Sequence, residues 1–360
     1  MINDTNIEVV TVESFSQLAN LYAEFEKEYG SPTIFNSFKW LQPWLDNYWQ
    51  PEWRLSAFAI YCDKKLVCIA PFYIQQSLTF PYLKTLHLIG QGEPESAEVA
   101  SEYLDILVIE EYKKIVFARL LNEIKSLKFD IVSANALLSN AYFLSIISTL
   151  SNKAEQRNSL RYLVDVNKWS FDQLSKNSRT RLKRAKNQLT ALNAEIKWLD
   201  HSEKLQYWPY LIGFHQDRWQ QKGALGAFEQ ESFKSFHQSF INNHPDTIEM
   251  SAIFVKNKPI AINYYIVAKN TYHFYQSGWD EQHYAKVSPG FYLHFWSIKH
   301  CPSMFYDFMM GGGRGSYKAK FNCIQEDMKS IKIIINTKKY FLKKLFSKIK
   351  NKLTSIRSNN

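Results

Sequence analysis

Two stretches of the chain alternate apolar and polar positions in the way that predicts β-hairpins, and their textures are alike. LSAFAIYCDKKLVCIAPFYI, from Leu55 to Ile74, turns at Asp63-Lys64-Lys65. MSAIFVKNKPIAINYYIV, from Met250 to Val267, turns at Lys256-Asn257-Lys258. Setting Leu55 against Met250, Ser56 against Ser251 and Ala57 against Ala252 gives an offset of 195 residues. Helical periodicity precedes each hairpin, over 14–29 and 38–48 in the first case and 203–221 and 230–242 in the second. The pattern predicts a duplicated helix–helix–hairpin unit and hence an α+β (mixed α/β) fold of two tandem domains. Residues 1–164 form the first domain in this reading, 165–328 the second, and 329–360 a separate tail.

The tail changes how the charge is read. The net charge is +10, which on its own suggests a nucleic-acid partner. No acidic residue follows Asp327, however, while ten basic residues do, from Lys329 to Arg357. The body is therefore neutral, which argues against a nucleic-acid groove on the folded domains. Within KKYFLKKLFSKIKNKLTSIR, Phe341, Leu342, Leu345, Phe346, Ile349, Leu353 and Ile356 recur at helical spacing with lysines between them. A C-terminal amphipathic helix of this kind suits an anionic membrane surface. The alternatives are a helix docking its apolar stripe on the body, or one that meets RNA or a protein.

Composition narrows the compartment. Four scattered cysteines, Cys62, Cys68, Cys301 and Cys323, make neither a disulfide framework nor a CxxC knuckle. The start MINDTNIEVV has no signal-peptide pattern, and no apolar run approaches the ~18 residues of a membrane span. The expectation is a cytoplasmic protein, peripheral at the inner membrane face through its tail.

Candidate chemistry concentrates in the second half. HExxH, GxSxG, GxxxxGK[ST] and GxGxxG are absent, and the nine histidines lack metal-ligand spacing. That leaves chemistry without a metal or a protein nucleophile. In FHQDRWQQKG, His215 and Arg218 are three residues apart and share a helix face. A neutral imidazole there could accept a proton from an attacking amine or hydroxyl; alternatively, both residues pack among Trp208, Leu211 and Trp219. Ser288-Pro289-Gly290 reads as a helix entrance whose free amides could hold phosphate. In FYDFMMGGGRGSYKAKF a strand runs into a loop carrying Gly311, Gly312, Gly313 and Gly315, with Asp307, Arg314, Tyr317 and Lys318 around it. The basic helix NSRTRLKRAKNQL, from Asn177 to Leu189, either recognises an anion or presents a solvated face.

Taken in order, His215-x-x-Arg218-Trp219, KPIAINYYIV, YQSGWD, SPGFYL and YDFMMGG…YK resemble the GNAT-type acetyltransferases of the CelD/BcsL group, which are related to the FemAB aminoacyltransferases and built as tandem GNAT-like domains. The resemblance runs from FKWLQPWL at Phe38 to Phe321, with the basic helix opening the second domain. It implies transfer of an acyl group from acetyl-CoA or another acyl-CoA to an amine or hydroxyl of a saccharide or amino-sugar acceptor. Carried over, Val287, Ser288, Pro289 and Gly290 become the pyrophosphate-binding turn. His215, Asp307 and Lys318 become the catalytic set, with Arg218, Trp219, Arg314 and Tyr317 around the substrate and no metal. The turn reads AKVSPGF where the family usually has Arg/Gln-x-x-Gly-x-Gly/Ala. An aminoacyl-tRNA donor and a non-catalytic scaffold are the alternative readings.

Overall fold

The computed structural model describes residues 6–221, 223, 225–311 and 315–357. They divide into two compact units. The first comprises 1–92, 100–157 and 329–360, and the second 93–99 and 158–328. The division keeps the expected end of the second domain at 328 but starts it at 158 rather than 165, and it joins 329–360 to the first unit instead of leaving a separate tail. Residues 329–334 are the second half of a strand, and the short segment 93–99 belongs to the second unit.

The first unit opens with β1 (Ile7–Val12), α1 (Phe15–Tyr29) and α2 (Phe38–Tyr48). The strands β2 (Arg54–Leu55), β3 (Ala57–Cys62), β4 (Lys65–Ala70), β5 (Phe72–Gln76), β6 (Lys84–Leu88) and β7 (Leu107–Val108) follow. After them come α3 (Lys113–Ser126), β8 (Ile131–Leu138) and α4 (Tyr142–Ile147). One sheet has the order β1-β3-β4-β7, and β8-β6-β5-β2 are neighbours in another. Trp40, Trp44, Tyr22 and Tyr73 are fully buried. A good part of the 16% aromatic content is therefore core, as large rings bury the most apolar area per residue.

The second unit is entered through β9 (Ala154–Asp165) and holds α5 (Lys176–Ala191), β10 (Glu195–Trp198), α6 (His201–Gln220) and α7 (Glu231–Asn243). Then come β11 (Ile248–Val255), β12 (Lys258–Ala268), β13 (Thr271–Trp279), α8 (Glu281–Tyr284), α9 (Pro289–Lys299), β14 (Phe305–Gly311) and β15 (Ile324–Ile334). Its strand order is β10-β11-β12-β13-β14-β9. Every pairing in that series is antiparallel except β13 with β14. A parallel pair needs a crossover, and α8 and α9 provide it. Asp200 and Glu203 form a capping box at the start of α6. Farther along, α6 lies so close to β13 that a Cβ on Gly278 would stand 2.8 Å from the Leu211 carbonyl oxygen.

The two predicted hairpins exist, as β3–β4 and β11–β12. Both turn through two residues of positive φ, Asp63 and Lys64 in one and Lys256 and Asn257 in the other. Both also carry a register shift shortly before the turn, at Ile60/Tyr61 and Ile253/Phe254. Superimposing the turns puts Asp63 on Lys256, two residues out of step with the Leu55–Met250 match. Identical letters misled there because a period-2 pattern repeats itself under a shift of two.

The C-terminal helix α10 (Thr337–Arg357) belongs to the first unit. Asn336 caps it, accepting the Lys339 amide at 3.1 Å, and also donates its amide to Asp130 Oδ1 at 2.9 Å.

Candidate active site

The site is built where β13 and β14 part. Their parallel pairing covers only Thr271–Phe305, Tyr272–Tyr306 and His273–Asp307. Asp307 sits at this vertex and is fully buried. Its Oδ1 accepts the Met309 amide at 2.7 Å. Its Oδ2 lies 2.8 Å from Arg161 Nη2 and 3.1 Å from His273 Nδ1. By bonding to an amide two residues ahead, the carboxylate holds Met309 at φ 61° and sets a bulge against β9. The ladder to β13 ends there and the two strands open into a V.

Beneath the opening stands His294 of α9, its ring 4.4 Å from Phe274 of β13 and 4.9 Å from Phe308 of β14 between centroids. The helix around it, FYLHFW, is apolar, so a buried imidazole must find partners on the sheet. It finds two. His294 Nδ1 is 2.7 Å from the Tyr306 hydroxyl, and Nε2 is 3.4 Å from the Tyr317 hydroxyl. Tyr306 donates to Tyr265 at 3.4 Å, and Tyr265 in turn meets Ser251 at 3.2 Å and the Asn263 amide at 2.9 Å. Burial, aided by the Lys318 charge, lowers the His294 pKa to about 3. The ring is therefore neutral at pH 7 and bridges two phenols through its two nitrogens, which fixes the orientation of the outer one. Tyr317 is the outer end of this chain at 38% exposure. Desolvation raises its pKa, while Arg218 is close enough to pull it the other way.

The entrance to α9 differs from an open phosphate-binding turn. Val287 and Ser288 spend their amides on the Tyr284 and Ala285 carbonyls, at 3.0 and 3.3 Å, and Pro289 has no N–H. Gly290 and Phe291 contribute the first-turn amides that lack helical partners. Beside them is Arg181 of α5, whose Nη2 donates to Ser288 Oγ at 3.1 Å and whose guanidinium lies 4.3 Å from the Phe291 ring centroid. A Cβ on Gly290 would come 3.1 Å from Trp279. The anion-binding groups available here are two amides and a guanidinium.

A parallel strand pair that splays after three residues, with a helix entrance beside it, can be compared with known proteins. Residues 176–319 match the family model of the GNAT acetyltransferase domain. The second unit has a GNAT-like fold over those residues. Two solved structures resemble the chain across most of its length. The crystal structure of FemX aligns with a TM-score of 0.59 at 12% identity, covering 93% of this chain and 99% of that one. A conserved protein of unknown function from Bacteroides thetaiotaomicron VPI-5482 aligns with a TM-score of 0.50 at 11% identity, covering 91% and 100%. At these identities the likeness is one of fold. No curated protein matches the chain.

Within the GNAT-like domain the expected site residues scatter. His215 is 4% exposed and packs against Phe228, and its Nε2 accepts the Trp219 indole N–H at 3.0 Å. A Cβ on Gly226 would lie 3.0 Å from the ring. Burial, with a smaller push from Arg218, lowers its pKa to about 4. The accepting nitrogen is occupied and the ring is walled in, so the geometry is that of a packed histidine rather than a base facing an acceptor. Trp219 serves the same contact. Asp307 likewise does not face a substrate, because its carboxylate is consumed at the strand vertex. Burial works to raise its pKa, but the His273 hydrogen bond and the Arg161 charge outweigh that and leave it at about 2.

Lys318 donates through Nζ to the Phe308 and Met310 carbonyls on the opened part of β14. Arg218 is exposed and shares a pocket of about 320 Å³ with Phe214, Trp279, Asp280 and His283. Arg314 lies outside the described residues. Of the turn Val287–Gly290, only Gly290 keeps an amide to offer. The sequence reading passed over His294, Tyr306 and Arg161. The one local signal was a histidine inside the apolar run FYLHFW.

No group of three or more His, Cys, Asp or Glu side chains that could hold a metal occurs among the described residues. The basic face of α5 is exposed at Arg181, Lys183, Arg184 and Lys186, while Leu182, Ala185 and Leu189 are buried. Its lysines behave as a solvated face, and Arg181 is the member that reaches the candidate site.

Proposed function

We propose that this protein is an acyltransferase that uses the β13–β14 opening to hold an acyl donor and Tyr317 to return a proton to the leaving group. The observation that carries this reading is the phenol of Tyr317 backed by the neutral, buried His294 at the mouth of the strand opening. An acyl-CoA donor would supply an activated thioester. The Gly290 and Phe291 amides with Arg181 would hold its phosphates, and the site would exclude water with its ring-lined floor. An acceptor amine attacks the acyl carbon, the bond from that carbon to the leaving atom breaks, and Tyr317 protonates the departing atom. Tyr317, which is partly exposed, then regains a proton from solvent, while His294 Nε2 orients its hydroxyl. The attacking nitrogen sheds its extra proton to solvent. In keeping with the CelD/BcsL resemblance, the acceptor class is an amino sugar or other envelope saccharide, approached through the Arg218–Trp279 pocket.

A second donor is favoured by the entrance itself. Three of the four turn positions offer no amide, and Arg181 continues into the exposed basic face of α5. Those features suit the single phosphates of an aminoacyl-tRNA terminus as well as a pyrophosphate. One assay separates the two: the full chain with a glucosamine acceptor, acetyl-CoA or charged tRNA, and product read by mass. Acetylated sugar supports the first donor and an aminoacylated product the second. No product from either, across acyl-CoA and aminoacyl-tRNA panels and acceptor amines, leaves a non-catalytic scaffold.

A further inference from the structure

The C-terminal helix is mounted with its apolar side outward. Its polar side holds it to the first unit. Tyr340 donates to Glu155 Oε2 at 2.5 Å, Lys344 pairs with the same carboxylate, and Lys339 Nζ is 3.2 Å from Asp130 Oδ2. On a helical wheel Tyr340 and Lys344 lie opposite Leu342, Leu345 and Ile349. Those three, with Phe341 and Phe346, are between 37% and 67% exposed. A helix docking its apolar stripe for stability would show the reverse.

A second apolar element adjoins this stripe. The loop between β5 and β6 exposes Leu78 at 78%, Phe80 at 53% and Tyr82 at 52%, and the Phe80 ring is 5.0 Å from that of Phe346. Helix and loop thus form one exposed patch on the first unit. Lys338 and Lys348 of the same helix are exposed, and no acidic residue follows Asp327.

We infer that this patch is a bilayer-docking face, with the helix lying in the interface of an anionic membrane and Leu78 and Phe80 inserting beside it. Charge and composition select this occupant. The apolar centres of protein–protein interfaces are depleted in lysine, whereas interfacial membrane helices are rich in it. A second copy would bring two sets of like charge together. No helix among the described residues is long and apolar enough to cross a membrane, so the attachment is peripheral. The inference does not depend on the acyl-transfer reading.

The test is co-sedimentation of the full chain with vesicles of phosphatidylcholine alone or with about a third phosphatidylglycerol. Binding should be at least about tenfold tighter to the anionic vesicles and should fall steeply by about 1 M salt. Two double variants, Leu345→Ser/Phe346→Ser and Leu78→Ser/Phe80→Ser, should each weaken it about tenfold or more. Because all four side chains are exposed, both variants should keep the wild-type circular dichroism and melting temperature. Equal binding to both vesicle types overturns the inference, as does unchanged binding by the loop variant. So does a concentration-dependent dimer of the wild type that the helix variant abolishes, or RNA competing the protein off the vesicles.

Discussion

Asp307 Oδ2 lies 3.1 Å from His273 Nδ1, and these two residues are the last paired rung between β13 and β14. The contact ties the strands together at the point beyond which they diverge. On the other side of the same carboxylate, Arg161 binds both Asp307 and Glu326, at 2.8 and 2.9 Å. The opening is therefore held by a network that joins β13, β14, β9 and β15, buried at Asp307 and partly exposed at Glu326. An acid at this position serves the architecture of the strand opening; in the proposed reaction the chemistry falls to Tyr317, held by His294.

Replacing Asp307 with Asn should be costly. It removes the negative charge facing Arg161 and leaves a buried cation half-compensated, a change worth roughly 3–5 kcal/mol. Chemical denaturation should show a loss of that order; a loss under about 1 kcal/mol would contradict the vertex role.

Tyr317→Phe should leave the fold intact and lower turnover by about a hundredfold with the best donor–acceptor pair, the scale of a lost general acid. KM should move little. His294→Phe should give a smaller loss, by removing the ring nitrogen that orients the phenol. Steady-state kinetics and thermal melts on both variants check this, and wild-type turnover in Tyr317→Phe excludes the assignment.

Removing the His215 ring should act on stability. His215→Ala empties a space walled by Phe228 and Gly226 and strands the Trp219 indole N–H, which together cost about 2–4 kcal/mol. A kcat loss of a hundredfold at an unchanged melting temperature would restore the base role.

Acid should destabilise the protein before its carboxylates are protonated. Burial lowers the pKa of His87, His237 and His294 to about 3, and that of His215 to about 4. Each is near 6.5 when unfolded. Between those values the unfolded chain binds more protons, so stability rises with pH and is lost as pH falls below about 6.5. Each group contributes a slope of up to about 1.4 kcal/mol per pH unit in that window. Asp307 adds its own loss only as the pH drops from the ordinary carboxylate range toward about 2. Melting temperatures from pH 7 to 4 should fall throughout, and a flat profile would refute the burial of these rings.

Arg181→Ala should raise KM for the donor about tenfold or more with kcat nearly unchanged, as for loss of a charge-assisted contact to phosphate. An unaltered KM would detach α5 from the site.

The sequence by itself determined the local pieces. The alternating runs are the hairpins, Asp63-Lys64 and Lys256-Asn257 are their turns, and the lysine-spaced apolar repeat is a helix. Local spacing suffices there because side-chain direction follows from backbone period. The long-range assignments were decided by the tertiary structure. Asp307, Arg161 and His273 are remote in sequence and meet only because β9, β14 and β13 are neighbours in the sheet. His215 shares a helix face with Arg218, yet packing against Phe228 separates their roles. The amphipathic pattern of α10 fixed that the helix has two faces, and only the acceptors at Asp130 and Glu155 decided which one turns inward. A sequence records which groups a residue can bind; which of them it meets depends on chain distances that only folding closes.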